Sequence, residues 1–343
     1  MTFIDGSMGE GGGQVLRTAL SLSAILGKEI DIRNIRANRP KPGLQPQHFV
    51  CVNSLMEITG ASVEGNVIGS TKLTFAPGKV QGGKYSFDIG TAGSVCLVSQ
   101  CLLPVLSYAD KKSTVTLRGG TDVPFAPSFD YFSKVFLPMA EKMGVNAKAL
   151  IQKRGFFPVG GGEIQLEVTP AKGGLKAIQA KEKGSLQTLE FYSNAGSLPK
   201  EVAARQADAA KNMLKEYKPV TNIFAEETPS PGTSFLIKAG YVNGAIAGFS
   251  SLGRRGKKAE EVGVEAASDF TRFNSSACLI DEHLADQLMI YAALAKGESS
   301  YKANATSHAQ TNADVIRRLT GIETNFEEGS FVIKGINHAN PKG

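Results

Sequence analysis

Apolar positions recur along this chain at helical spacing in some stretches and in short strand-like runs in others, and the order of the two repeats. Gly13 to Leu26 (GQVLRTALSLSAIL) reads as an apolar helix. A strand-like Glu29 to Ile35 follows, then a Pro/Gly-rich loop from Arg36 to Pro46, a second helical pattern from Gln47 to about Thr59, and strands at Ala61 to Val67 and Lys72 to Phe75. The same order returns about 80 residues later. Here the helix is Ser94 to Tyr108, the strand Ser113 to Leu117, the loop Arg118 to Ser128, the second helix Phe129 to Met143, and the strands Asn146 to Lys153 and Glu163 to Val168. A third copy starts near Asp281, with helix Asp281 to Ala295, strand Ser299 to Ala303, loop Asn304 to Thr311, helix Asn312 to Leu319, and strands Glu323 to Glu327 and Ser330 to Lys334.

A period of this length marks domain-sized modules, and the third copy begins about 190 residues after the second, so about 100 residues are inserted between them. The insertion reads as strand Leu186 to Ser193, helix Pro199 to Tyr217, strands Asn222 to Glu227, Ser234 to Ala239 and Gly244 to Ser250, and helix Lys258 to Phe273. The expectation is an α+β protein with a main domain at 1–181 and 277–343 and a small inserted α+β domain at 182–276. In every copy the loop between the first strand and the second helix holds the unusual residues: RANRPKPGLQPQH, RGGTDVPFAPSFDY and NATSHAQTN. Copies packed about a pseudo-threefold axis would bring these loops to one site.

With 42% hydrophobic and 20% charged residues among 343, the chain has the balance of a compact globular protein, which excludes the disordered and fibrous classes. The longest apolar run, Val95 to Leu106, is broken by Ser99, Gln100 and Pro104 and falls short of the ~20 residues that span a bilayer. The opening MTFIDGSMGEGGG has no basic and apolar regions of a secretory signal, so the expected location is cytoplasmic. Cys51, Cys96, Cys101 and Cys278 lie in or beside apolar helical stretches and read as reduced core thiols, without zinc-ligand spacing. The net charge of +6 is compatible with a polyanionic partner.

Gly9-Glu10-Gly11-Gly12-Gly13-Gln14-Val15-Leu16-Arg17 is a glycine-rich turn opening a helix, where free amides can face phosphate, although taken in isolation a tight turn and helix start is the more ordinary reading. It ends in neither the Gly-Lys-Ser/Thr of a P-loop nor the spacing of a dinucleotide fingerprint. Arg36, Arg39 and Lys41 share a loop stiffened by Pro40, Pro42 and Pro46, either a phosphate grip or a solvated basic loop, and Gln47 and His48 close it. Of four histidines, His308 sits among small polar residues in SHAQTN, where a neutral imidazole is available as nucleophile or base.

DGSMGEGGGQVLRTALSLS, IRANRPKPGLQPQH, GTAGSVCLVSQCLLPVL, RGGTDVPFAPSFDY, GFFPVGGGEI, EHLADQL and SHAQTN occur in this order over nearly the whole chain. Together they closely resemble the RNA 3′-terminal phosphate cyclases. The resemblance implies three repeats of a four-stranded sheet with two helices, in the manner of enolpyruvyl transferases, and an insert of thioredoxin-like topology. It implies that His308 attacks the α-phosphorus of ATP and carries AMP, that Glu10 binds magnesium or manganese, and that Gln14 and Arg17 lie near the phosphates. Arg36, Arg39, Gln47 and His48 match the loop handling the RNA end. Gln100, Asp122, Pro127, Tyr131, His283, Asp286 and Gln287 fall in segments around the nucleotide, with His283 standing where some relatives have tyrosine. The implied partner is RNA with a 3′-terminal phosphate. Non-catalytic relatives lack the histidine, and enolpyruvyl transferases lack the SHAQTN and PKPGLQPQH segments.

Overall fold

The computed structural model describes residues 1–180, 182–327 and 329–339, so the expected boundary at Lys181 and the last residues of the third copy lie outside the described residues. The first repeat runs β1 (Thr2–Asp5), α1 (Gly13–Leu26), β2 (Ile30–Arg33), α2 (Pro46–Thr59), β3 (Ser62–Glu64) and β4 (Leu73–Ala76). Its sheet has the order β1-β2-β4-β3, with β1 and β2 parallel and the other pairs antiparallel. Helix α1 stops where Gly27, at φ 64°, turns left-handed and donates its amide to the Ser23 carbonyl. Pro46 at the start of α2 fits the one position where a missing amide costs nothing, and Gln45 and His48 cap each other there.

The second repeat repeats the order with β5 (Lys84–Asp88), α3 (Val95–Leu106), β6 (Ser113–Gly119), α4 (Phe129–Tyr131), α5 (Leu137–Lys142), β7 (Asn146–Lys153) and β8 (Gly162–Thr169), giving a sheet β5-β6-β8-β7. The single helix expected at Phe129 to Met143 is interrupted by a π turn over Phe132–Phe136. Strands β1 and β5 are short edge strands of four and five residues that the repeat pattern leaves out: β1 buries only Ile4, whereas the alternation in β5 (KYSFD), with Tyr85 and Phe87 against the core, was present but spans few residues.

The insertion folds as β9 (Leu186–Gly196), α6 (Lys200–Met213), β10 (Val220–Glu226), β11 (Gly232–Tyr241), β12 (Ile246–Leu252) and α7 (Ala259–Asn274). A parallel β10-β9 pair is joined to an antiparallel β11-β12 hairpin, and α6 and α7 pack together over a core of its own that includes Phe191, Phe235 and Phe270. The third repeat closes with α8 (Glu282–Leu294), β13 (Glu298–Lys302), α9 (Ser307–Thr320), β14 (Thr324–Glu327) and β15 (Ser330–Lys334), its strands ordered β13-β15-β14.

Two expectations change. The third copy begins before the insertion, not after it: Lys176 and Gln179 bridge in parallel to Lys296 and Ser300, and Ser300 donates to the Ile178 carbonyl at 2.9 Å. Residues 176–180 therefore take the place that β1 and β5 hold in the other repeats, and the insertion interrupts the third repeat at its first strand-to-helix connection. A period search sees only the later, contiguous part. The second change concerns SHAQTN, expected as loop, which forms the first turns of α9 because the Thr306 side chain accepts the Ala309 amide at 3.1 Å.

Helices α1, α2, α3, α8 and α9 pack on one another in the main core. Arg154 ties the insert to the second repeat: its guanidinium bonds Asp122 at 3.0 Å and Asp130 at 2.8 Å and pairs with Glu226 of β10 at 3.3 Å, while Asn194 of β9 donates to the same Asp130 oxygen at 2.8 Å. Burial opposes this charge, but Asp122, Asp130 and Glu226 outweigh it and push the Arg154 pKa up. Among the described residues no helix is long and apolar enough to cross a membrane. Arg154→Ala should lower stability by about 3–5 kcal/mol, since it strands two buried carboxylates. Urea denaturation should show this as a midpoint shift much larger than that of Glu226→Gln, whose side chain is partly exposed.

Candidate active site

The glycine turn between β1 and α1 is shaped by what lies against it. Gly9 sits at φ 56°, and a Cβ there would meet the Thr311 hydroxyl at 2.0 Å; a Cβ on Gly13 would meet His48 Nε2 at 2.0 Å. The absence of side chains thus lets the turn rest directly on α2 and α9. Between them Glu10 reaches the first turn of α9. One of its oxygens accepts from the Ser307 hydroxyl, and the other accepts from Arg39 Nη2 at 2.9 Å and stands 3.5 Å from His308 Nε2. The Ser307 hydrogen bond, with His308 and Arg39, holds the Glu10 carboxyl below its ordinary range.

His308 is the second residue of α9, partly exposed, at a helix end whose first amides have no intrahelical partner. Burial lowers its pKa, and Arg17, Arg39 and His283 add to this against the pull of Glu10. The ring is therefore neutral at pH 7 and keeps a nitrogen lone pair. Arg17, Arg36 and Arg39 bring three cations to the same side. Burial lowers the pKa of Arg17; burial, then Arg39 and Arg17, lowers that of Arg36. Arg36 adopts φ 56°, a left-handed conformation unusual for a long side chain, and donates to the Lys41 carbonyl at 3.1 Å.

His48 is buried below this cluster, with Nδ1 accepting the Gln45 amide at 3.2 Å; burial, Arg17 and Arg36 drive its pKa down to about 3. It stays neutral and its remaining proton is on Nε2, toward Gly13. Gln47 turns the other way and accepts the Ser94 amide at 2.8 Å, joining the first repeat to the start of α3. Gln14 donates to Asp286 at 3.3 Å, joining α1 to α8. Burial lifts Asp286 to about 7, with His283, Gln14 and Arg17 pulling it back. Gln100 and Gln287 are the sixth residues of α3 and α8, equivalent places in two repeats.

The residues expected around the nucleotide divide. Tyr131 is buried, and its hydroxyl donates to Asp281 at 2.7 Å; Asp281 in turn caps α8 through the Leu284 amide and accepts Gly248 of the insert. Asp122 is held by Arg154 and Thr121. His283, on the first turn of α8, is exposed, and Pro127 is half-buried in the loop before α4. Sequence reasoning passes over Ser307, Arg154 and Asp281. Ser307 was findable from its place beside His308, whereas Arg154 and Asp281 act through contacts that no local pattern reports. Neither the cleft of about 490 Å3 lined by Arg118 and Val159 nor the one of about 400 Å3 lined by Phe49 and Phe87 includes His308.

The RNA 3′-terminal phosphate cyclase family model matches residues 8–326. The chain belongs to this family. It is 44% identical over 337 residues to the RNA 3′-terminal phosphate cyclase of Archaeoglobus fulgidus, covering 97% of this chain and 100% of the relative. The Caldivirga maquilingensis protein of the same description is 45% identical over 92% of each chain, and that of Methylococcus capsulatus 40% identical over 99% and 97%. Among solved structures, the enolpyruvyl transferase NikO from Streptomyces tendae aligns with a TM-score of 0.41 and 11% identity, over 99% of this chain and half of its own.

For a member of the cyclase family, the unsatisfied atoms are informative. Gln14 Oε1, Arg36 Nε, Arg39 Nε, Gln100 Nε2 and Gln287 Oε1 are buried without hydrogen-bond partners. Four of these five side chains lie within the glycine turn, the arginine loop or the α8 segment that Gln14 touches. Orphaned donors on two arginines are what a bound phosphate would satisfy. Asp286 supplies a pH test. Its folded pKa near 7 exceeds the ordinary 3.8, so its contribution is harmless at low pH and becomes destabilising as pH rises through the folded value. The stability gained by Asp286→Asn over wild type, read from urea midpoints, should grow from pH 4 to 7 and then level off.

Proposed function

We propose that the enzyme converts the 3′-terminal phosphate of RNA into a 2′,3′-cyclic phosphate using ATP, through a histidine-linked AMP on His308. The observation that carries this reading is a neutral imidazole on the first turn of α9, 3.5 Å from Glu10 and beside Arg39, whose Nε lacks a partner. A neutral ring can attack the α-phosphorus of ATP: a P–N bond forms as the bond to pyrophosphate breaks. The RNA phosphate then takes the adenylate, giving RNA-(3′)pp(5′)A, and the neighbouring 2′-hydroxyl attacks the RNA phosphorus as AMP leaves. Closure gains from proximity, because nucleophile and electrophile share one ribose.

In this reading Arg17, Arg36 and Arg39 hold phosphate oxygens through charge-assisted hydrogen bonds. Neutral His48 offers Nε2–H without adding charge, and Gln47 fixes the loop to α3. Gln100, Asp286 and Gln287 form the inner wall of the nucleotide subsite, with Pro127 and His283 at its mouth; buried Tyr131 positions Asp281 and the start of α8. Magnesium or manganese fits as an ion carried on the nucleotide. Among the described residues no three His, Cys, Asp or Glu gather to hold a metal, and a single carboxylate such as Glu10 suffices when phosphates complete the shell. Such an ion would neutralise charge on the triphosphate. The same reading places the enzyme in the cytoplasm and divides it into a cyclase body at 1–181 and 277–343 and an inserted domain at 182–276.

With α-labelled ATP, His308→Ala should fold normally yet retain no AMP, and the wild-type adduct should be labile to acid and stable to alkali. Given RNA-(3′)pp(5′)A, the variant should still close the ring. Full labelling of folded His308→Ala at another residue would falsify the mechanism. Arg36→Ala and Arg39→Ala should each weaken cyclisation of 3′-phosphate RNA by about 1.5–3 kcal/mol, the range for a hydrogen bond to a charged group. Single-turnover rates with 3′-phosphate RNA check this, and normal cyclisation by both variants would remove the loop from the RNA end.

A further inference from the structure

Phe125 is fully exposed, and its backbone sits at φ 62°. Pro124 followed by a residue of positive φ is the pattern of a type II turn, whose third position favours glycine. A bulky residue there is strained, and strain of this kind persists where the surroundings enforce it, commonly at ligand clamps. The surroundings here are firm. Upstream, Thr121 and Asp122 donate their amides to the Gly155 carbonyl, and Asp122 is gripped by buried Arg154. Downstream, Ser128 caps α4 and Tyr131 is bonded to Asp281, the cap of the helix that carries His283. The turn is thus a rigid platform beside the mouth of the site, displaying an aromatic ring to solvent.

The platform does not stand alone. Asp122 bridges in parallel to Phe156, so the chain leading to Phe125 runs alongside the chain leading to Phe157, which is also largely exposed. Phe156 itself is buried against Gly196 and Gly232, at one end of the inserted sheet. The loop after β12 emerges at that same end, where Gly253 donates to the Thr233 carbonyl. It presents Arg254, Arg255 and Lys258, all exposed and none within ion-pair distance of a carboxylate among the described residues, although Arg254 and Lys258 lie near enough to Glu265 and Glu260 to lower their pKa values; the neighbouring Lys257 is paired with Glu265. Aromatic faces followed by exposed cations are the combination that holds single-stranded nucleic acid: bases stack on rings, and phosphodiesters meet the charges.

We propose that the nucleotides upstream of the RNA 3′ end leave the active site across Phe125 and Phe157 and run onto Arg254, Arg255 and Lys258 of the insert, so that the insert is a strand-binding arm. This rests on the cyclase reading of the site. Charge complementarity and continuity with the Pro127 loop favour a single strand of RNA as the occupant.

The test uses the full-length enzyme, a fluorescent twelve-nucleotide single-stranded RNA with a 3′-phosphate, and a dinucleotide with the same end. Phe125→Gly should relieve the left-handed strain, leaving the melting temperature equal or higher, while weakening binding of the long RNA about five-fold or more in anisotropy. Phe125→Trp should restore that binding. Arg254→Glu with Arg255→Glu should weaken the long RNA and flatten the salt dependence of its affinity. AMP transfer from ATP and cyclisation of the dinucleotide should be unchanged in all variants. Wild-type affinity and salt slope for the long RNA in both Phe125→Gly and the double variant would overturn the proposal and leave the patch to a protein partner. So would a drop in melting temperature for Phe125→Gly, which would make the ring a packing element. Because binding is read without turnover, a wild-type enzyme that fails to cyclise refutes the reaction and not the strand path.

Discussion

Arg17, Arg36 and Arg39 repel one another, and the site depends on holding them together with Glu10, bonded to Arg39, as the neighbouring carboxylate. Burial and mutual repulsion weaken the hold of Arg36 on its proton, and the Nε atoms of Arg36 and Arg39 have no partner. Such a cluster cannot rest on a flexible loop, because the chain would swing the charges apart. The prolines at 40, 42 and 46, the cap formed by Gln45 and His48, and the direct seating of the glycine turn on His48 all restrict that movement. Keeping His48 neutral belongs to the same constraint, since a fourth positive charge at this depth would raise the repulsion further.

Glu10 is the counterweight. It is the acidic side chain that touches both Arg39 and the first turn of α9, and its contacts with Ser307 and His308 bring the first and third repeats into register at the His308 imidazole. Gln47 to Ser94 ties the first repeat to the second, and Tyr131 to Asp281 ties the second to the third. A small number of side-chain bonds between repeats therefore converts three similar modules into one asymmetric site. The insert is fixed to this frame through the buried charges around Arg154, which explains how a module with its own core can keep a constant orientation toward the site.

Much of this was legible from the chain. Helix α1 and strand β7 end where the pattern places them, because apolar spacing and flanking glycines mark them strongly. The candidate residues Glu10, Arg36, Arg39 and His308 lie in segments whose composition is already unusual, and they meet in the structure. Less legible were β1 and β5, edge strands of four and five residues, too short for their pattern to stand out, and the first strand of the third repeat, which is separated from its partner β13 by the entire insert. The helical state of SHAQTN was hidden because its polar residues resemble a loop until Thr306 is seen as a cap.

The sequence by itself determined the order of most helices and strands, the presence of an inserted segment, and which residue types were candidates for phosphate chemistry, because periodicity and residue type are local properties; that the insertion interrupts the third repeat was decided only by the pairing of residues 176–180 with β13. Tertiary structure alone decided protonation and partnership. Whether His48 is neutral, whether Asp286 titrates near 7, and whether Tyr131 is free or bonded depend on burial and on charges supplied by distant repeats. Desolvation and Coulomb interactions act through space, and only the folded chain sets those distances.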